Sequence, residues 1–167
     1  LNLSSFSARD GDAVIINGSI GDHGLAILSL REGIDFGSGL KSDTAPLNRI
    51  IGGLVGRFDG IRCMRDATRG GIAAVLNEIA SDSGVSIRIE EELIPVKDAV
   101  RSGCELMGYE PLHIANEGKF VLIADQEQAG DILDAMREHP LGGQSQIIGR
   151  VSSSPPGKVV MRTEIGG

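Results

Sequence analysis

Three short polar stretches hold the residues able to do chemistry: Gly21-Asp22-His23-Gly24, Asp66-Ala67-Thr68-Arg69-Gly70-Gly71, and Asn116-Glu117-Gly118-Lys119. The second combines the most features. Backbone N–H groups ahead of a helix, with the positive end of its dipole, gather at one point and suit a phosphate. Gly70 and Gly71 lack a Cβ and so leave the backbone open to a close ligand. Arg69 adds a bidentate charge contact, and Asp66 can hold a metal, a water or a substrate donor. The plain alternative is that Asp66 or Thr68 only caps the helix and the glycines only make the turn. In the third stretch Glu117 lies between apolar runs, and partial burial would make it a proton acceptor near neutrality. Its plain alternative is a surface β-turn with Gly118 as the permissive residue.

The remaining reactive side chains point less clearly to a site. His23 falls in a first helical turn, where it is a candidate base or a solvated polar residue. His113 alternates with apolar neighbours as a strand residue would. His139 precedes Pro140 at a helix end and reads as structural. Cys63 alternates with Arg62 in a strand, and Cys104 lies on an apolar helix face, so both read as small core residues. They have no metal-ligand spacing and make no disulfide framework, which places the chain in a reducing cytoplasm. Glu90-Glu91-Glu92 reads as a solvated charged turn. No Gly-Lys-Ser/Thr is present, so none of the glycine loops is a Walker P-loop.

These stretches need a frame that brings them together. Apolar runs at 13–17, 61–64, 85–89, 120–124, 146–151 and 158–161 read as strands. Helical periodicity predicts helices over about 22–32, 44–58, 70–83, 96–108 and 126–138. The first is read as a buried helix capped by Asp22 and ended by Gly33. The second has Asp43 or Thr44 as its cap and Pro46 in its first turn. Pro95 opens the fourth. Residues 35–41 read as a Gly/Ser connector. Strands and helices alternate, so the expected class is α/β (α+β), a mixed sheet flanked by helices. In such sheets the loops at strand ends converge on one edge and form the ligand crevice.

The totals narrow the partners. The chain has 167 residues, enough for one domain, with 3% aromatics and a net charge of −7. So acidic a surface with so few stacking side chains does not fit nucleic acid or an anionic membrane. A local cluster of N–H groups can still take a small anion. No apolar run reaches transmembrane length and no signal peptide is visible. The start at Leu1 and the stop at Gly167 after a strand-like run give the expectation of a fragment of a longer protein.

The three stretches, in this order, resemble the C-terminal domain of the HypE family within the PurM-like (aminoimidazole-ribonucleotide-synthetase-related) superfamily. The resemblance runs over nearly the whole chain, and the pair Asp-Ala-Thr-Arg-Gly-Gly and Ala-Asn-Glu-Gly carries it. It implies a single PurM-like C-terminal domain over 1–167. It also implies a separate N-terminal domain that binds most of ATP and Mg2+ and forms a homodimer. The implied activity is [NiFe]-hydrogenase maturation. A carbamoyl group placed on a C-terminal cysteine by the carbamoyltransferase HypF is dehydrated with ATP to a thiocyanate. The cyanide then passes to iron through a HypC–HypD complex. Glu117 would be the base, with Asp66, Asn116 and Lys119 in support. Thr68, Arg69, Gly70, Gly71 and the loop Gly21, Asp22, His23, Gly24 would face nucleotide or activated oxygen. Two other readings stay open: a docking domain whose polar stretches are only structural, and a superfamily kinase related to thiamine-monophosphate kinase.

Overall fold

The computed structural model describes residues 3–34 and 40–163. Along them run β1 (Ala13–Ile16), α1 (Asp22–Glu32), α2 (Asn48–Arg57), β2 (Ile61–Asp66), α3 (Gly71–Ser83) and β3 (Ser86–Glu90). They continue with α4 (Asp98–Met107), β4 (Phe120–Ala124), α5 (Ala129–Glu138), β5 (Gln146–Ser152) and β6 (Lys158–Arg162). Each expected strand is present. The sheet order among the described residues is β2-β4-β1-β5-β3-β6. Every pairing is antiparallel except β3 with β6, which is parallel. The sheet is therefore mixed, as the alternation of elements led one to expect.

The central strands β1 (Ala-Val-Ile-Ile) and β4 (Phe-Val-Leu-Ile-Ala) are apolar throughout because both sheet faces are covered. Successive side chains go to opposite faces. Val14, Ile16, Val121 and Ile123 pack with Ile72, Leu76 and Ile79 of α3. Ala13, Ile15, Phe120 and Leu122 pack with Ile50 and Leu54 of α2 and Ile132 and Met136 of α5. At one end a small third cluster joins α1 to α4 through Leu25, Val100, Cys104 and Ile114. Cys63 and Cys104 are buried core residues, and burial pushes the Cys63 thiol up to about 11.

Several boundaries differ from the sequence reading, each for a local reason. Asp22 does not cap α1. Gly21 does, in the left-handed region, and Asp22 sits buried in the first turn. Helix α1 is only partly covered, with Leu30 79% exposed. Helix α2 begins at Asn48 rather than near Asp43. Pro46 holds Ala45 out of the helical region, and the Asp43 carboxylate is taken by Lys119. Helix α4 begins at Asp98 rather than Pro95, because the Pro95 carbonyl accepts the N–H of Ile20 at 2.9 Å. His113 is no strand residue. It ends a 3-10 turn, Pro111–His113, and is exposed. His139 is structural as expected, its Nδ1 accepting the Leu141 N–H at 3.1 Å. The connector expected at 35–41 falls largely outside the described residues.

Away from these loops, Asp12 precedes β1 at 4% exposure. It accepts the Arg9 N–H at 2.8 Å and lies 3.6 Å from the Arg62 guanidinium. Burial pushes its carboxyl above the ordinary value of 3.8, while the Arg9 N–H and Arg62 pull it back. The fold therefore favours the protonated form. That stabilisation is present below the ordinary value and is lost as pH rises through the folded value. In urea unfolding from pH 4 to 7, the stability of Asp12→Asn relative to the parent should rise with pH. A flat or falling difference would show that Arg62 outweighs burial.

Candidate active site

The site is built on the ends of three adjacent strands. The β2–β4 ladder reaches Asp66 opposite Phe120. It continues past the strands: the Ala67 N–H donates to the Lys119 carbonyl at 3.0 Å, and the Asn116 N–H to the Ala67 carbonyl at 3.1 Å. This extension sets the Thr68-Arg69 loop beside the Asn116–Lys119 turn. The Thr68 hydroxyl in turn lies 3.3 Å from the Asp66 carboxylate. Gly70 caps α3 in the left-handed region with no side-chain cap, so the first-turn N–H groups keep their field.

Asn116 holds the three stretches together. Its side chain is fully buried. Its Oδ1 accepts the Gly21 N–H at 2.9 Å, and its Nδ2 donates to the carbonyls of Ala67 at 3.1 Å and Ile114 at 3.0 Å. The Gly24 N–H adds a bond to the Ala115 carbonyl at 3.0 Å. The first two glycine loops thus lie on the same end of the sheet, with the third stretch between them.

A second buried amide, which the sequence reading missed, fixes the far side of the turn. Asn17, 1% exposed, donates to the Gly118 and Leu141 carbonyls at 3.1 and 3.2 Å and accepts the Phe120 N–H at 2.8 Å. Its signal was a lone amide closing an apolar strand just before Gly18. Two ion pairs complete the frame. Lys97 meets the buried Asp22 at 2.6 Å, and Lys119 meets Asp43. Asp22 also accepts the Ser19 hydroxyl at 2.8 Å.

Two expectations about this site need correction. Glu117 is exposed rather than partly buried, because the bonds of the turn are made by its neighbours. The missing Cβ atoms do not open the backbone to a ligand at most of the glycines. A Cβ on Gly71 would overlap the Leu112 carbonyl oxygen, one on Gly24 would lie 2.5 Å from Ile114, and one on Gly21 2.7 Å from Val100. These glycines let chain segments approach one another. His23 is half-buried and meets the Ser42 hydroxyl at 2.7 Å.

Asp66, Arg69 and Glu117 are each exposed to solvent. Among the described residues neither Arg69 nor Glu117 has a hydrogen-bond or ion-pair partner. Beside the turn is a cleft of about 430 Å³, lined by Ser19, Asp43, Thr44, Lys97, Lys119 and Leu141 among others. A better enclosed cleft of about 370 Å³, between α4 and the Pro111 turn, contains none of the expected site residues. Of the expected catalytic and nucleotide-facing residues, the former cleft is lined by Lys119 alone. Among the described residues no group of His, Cys, Asp or Glu is arranged to hold a metal ion.

A mixed six-stranded sheet with α3 on one face and α2 and α5 on the other defines an α/β (α+β) domain. The chain belongs to the AIR synthase related protein family, whose C-terminal domain model matches residues 9–162. It is 49% identical over 168 residues to the carbamoyl dehydratase HypE of Rhizobium leguminosarum bv. viciae, covering 100% of this chain and 48% of that protein. A crystal structure of a HypE–HypF complex matches at TM-score 0.95 and 45% identity, covering 99% of this chain and 54% of that one. A HypE structure in complex with ATP matches at TM-score 0.95 and 44% identity, covering 99% and 51%. The resemblance to HypE read from the three polar stretches is borne out. The chain spans about half the length of the curated relatives it matches.

Asn116→Ala would leave the Gly21 N–H and the Ile114 carbonyl unsatisfied in a buried place. At about 1–3 kcal/mol for each such group, unfolding in denaturant should show a loss of about 3 kcal/mol. A loss under about 1 kcal/mol would mean that the three stretches hold together without this amide.

Proposed function

We propose that this chain is the C-terminal half of an ATP-dependent carbamoyl dehydratase of [NiFe]-hydrogenase maturation. One observation carries the reading. Glu117, an exposed carboxylate without a partner among the described residues, stands on a turn tied by backbone bonds to the Thr68-Arg69 loop. The reaction needs such a pair, because a nitrogen loses a proton while an oxygen is carried off by phosphate. The identity to HypE proteins supports the dehydratase reading over the kinase one.

In this reading the substrate is an S-carbamoyl group on a C-terminal cysteine of the same protein, a role neither buried thiol fills. ATP phosphorylates the thiocarboxamide oxygen and ADP leaves. Glu117 takes up a nitrogen proton. The C–O bond breaks, phosphate departs with the oxygen, and the C≡N bond of the thiocyanate forms. Both N–H protons and the oxygen are lost in total, which amounts to one water, taken up in the conversion of ATP to ADP and phosphate. Thr68, Arg69 and the N–H groups opening α3 at Gly70 and Gly71 fit the transferred phosphate. Asp66 orients the Thr68 hydroxyl. Asn116 and Lys119 support by fixing the turn. The Gly21–Gly24 loop acts through Asn116, rather than by direct contact with nucleotide. Among the described residues no three His, Cys, Asp or Glu side chains are grouped to hold a metal ion, and Mg2+ in this reading belongs mainly with the N-terminal half. The rest of the ATP site, and the homodimer contact, belong to the N-terminal half.

HypF as carbamoyl donor, a HypC–HypD complex as cyanide acceptor and a cytoplasmic setting follow from the same reading. Among the described residues no helix is long and apolar enough to cross a membrane.

In the full-length protein, Glu117→Gln keeps size and most hydrogen bonding but cannot take a proton. Water loss from the carbamoylated C-terminal peptide, followed by mass spectrometry after ATP addition, should slow by about 10²–10⁴-fold. Carbamoylation itself should proceed as before. Water loss at the parent rate would rule out Glu117 as the base. Arg69→Ala should raise the ATP concentration needed for half-maximal rate by about tenfold, the effect of losing one charge-assisted contact of about 1.5 kcal/mol. An unchanged ATP dependence would remove Arg69 from the phosphate site.

A further inference from the structure

We propose that Asp43 is a positioning residue that keeps Lys119 away from Glu117, leaving Glu117 free to take a proton. This rests on the reading of Glu117 as the base. Lys119 is two residues from Glu117, on a stem long and flexible enough to fold back onto it. An ammonium paired with that carboxylate would hold it ionised and make it a poor proton acceptor. The structure instead commits Lys119 elsewhere. Its ammonium meets the Asp43 carboxylate, with the two side chains only 11% and 15% exposed.

The segment that delivers Asp43 is built to do so. It precedes α2 without regular structure and lies across the Asn116–Lys119 turn. Gly118, at φ +110°, has no Cβ, and one there would overlap the Asp43 carbonyl oxygen and lie 3.0 Å from the Ala45 nitrogen. The residues on either side of Asp43 are fastened to α1. The Ser42 hydroxyl is 2.7 Å from His23 Nδ1, and the Thr44 hydroxyl is 2.7 Å from that of Ser42. The other Asp43 oxygen, Oδ1, is buried without a hydrogen-bond partner among the described residues. A carboxylate so placed is a costly way to seat a loop, since a neutral side chain would leave no charged oxygen unsatisfied. The negative charge has a use if its task is to hold a positive one.

The other charged groups on elements packed against the turn do not replace this pairing. Asp22 is engaged by Lys97 on the other side of the cleft. Asp66 ends β2 and Arg69 lies on the loop that follows it, on the side where substrate would sit. His23 is held at Ser42. Once Asp43 loses its charge, Glu117 is the carboxylate nearest in sequence to Lys119 on that turn.

Single-turnover water loss from carbamoylated full-length protein at saturating ATP tests this across pH 5–9. The variants are Glu117→Gln, Asp43→Asn, Lys119→Met, and Asp43→Asn with Lys119→Met. Asp43→Asn should slow the reaction by about 10–100-fold and move the acid limb of the profile about one pH unit lower. Lys119→Met should leave the acid limb in place. The double variant has no cation to misplace and no unpaired buried charge. It should recover at least tenfold over Asp43→Asn. If Glu117→Gln reacts at the parent rate, the base assignment itself fails. If Glu117→Gln is inactive but Asp43→Asn stays within twofold of the parent, only the role of Asp43 fails. A double variant as slow as Asp43→Asn would make the ion pair merely structural and overturn the inference. If Asp43→Asn does not fold, the double decides alone: a folded double more than tenfold slower than Lys119→Met overturns it.

Discussion

The buried amide of Asn116 is the interaction on which the arrangement at this sheet edge depends. An amide offers an acceptor and two donors in one plane, and here each is used, toward Gly21, Ala67 and Ile114. No aliphatic residue could occupy the position without stranding the Gly21 N–H and the Ile114 carbonyl, while the Ala67 carbonyl would keep only the backbone N–H of residue 116. Because the amide is spent on the frame, its neighbour Glu117 is left outside it. Turn rigidity and carboxylate exposure are two results of one substitution pattern, Asn followed by Glu followed by Gly.

Much of the fold could be read from the chain. Fully apolar runs such as 120–124 allow few roles other than a covered strand, and the i, i+3, i+4 spacing through Ile72, Val75, Leu76 and Ile79 fixes α3. Helix starts were less legible. Asp22, Asp43 and Pro95 all carry local signals for opening a helix, and in each case a tertiary partner claimed the group: Lys97 for the Asp22 carboxylate, Lys119 for that of Asp43, and Ile20 for the Pro95 carbonyl. Capping preferences are worth about 1 kcal/mol, so a buried ion pair or an inter-loop hydrogen bond can redirect them.

The site was legible to a similar degree. The three polar stretches were visible as interruptions of regular patterning, and their meeting at one edge follows from the adjacency of β2, β4 and β1. The roles of individual residues were less clear. Glycines whose missing side chains suggested room for a ligand turn out to admit neighbouring backbone. Asn17 and Asp43 carry no motif, and their importance lies in partners about 100 and 76 residues away. Such distances are outside what local pattern can encode.

Those same separations bear on how the protein acquires its working form. The bonds that close the site join positions 49, 95 and 101 residues apart, and the sheet order interleaves early and late strands. None of them can form within a nascent hairpin. The crevice is then among the last features to appear as the chain collapses, since loops of this size must close first. It is also tied to the intact sheet rather than to any one supersecondary unit. A fragment shorter than β1 to β4 would lack the crevice even if its helices persisted. Loss of the site and loss of the global fold should be one event seen by two probes.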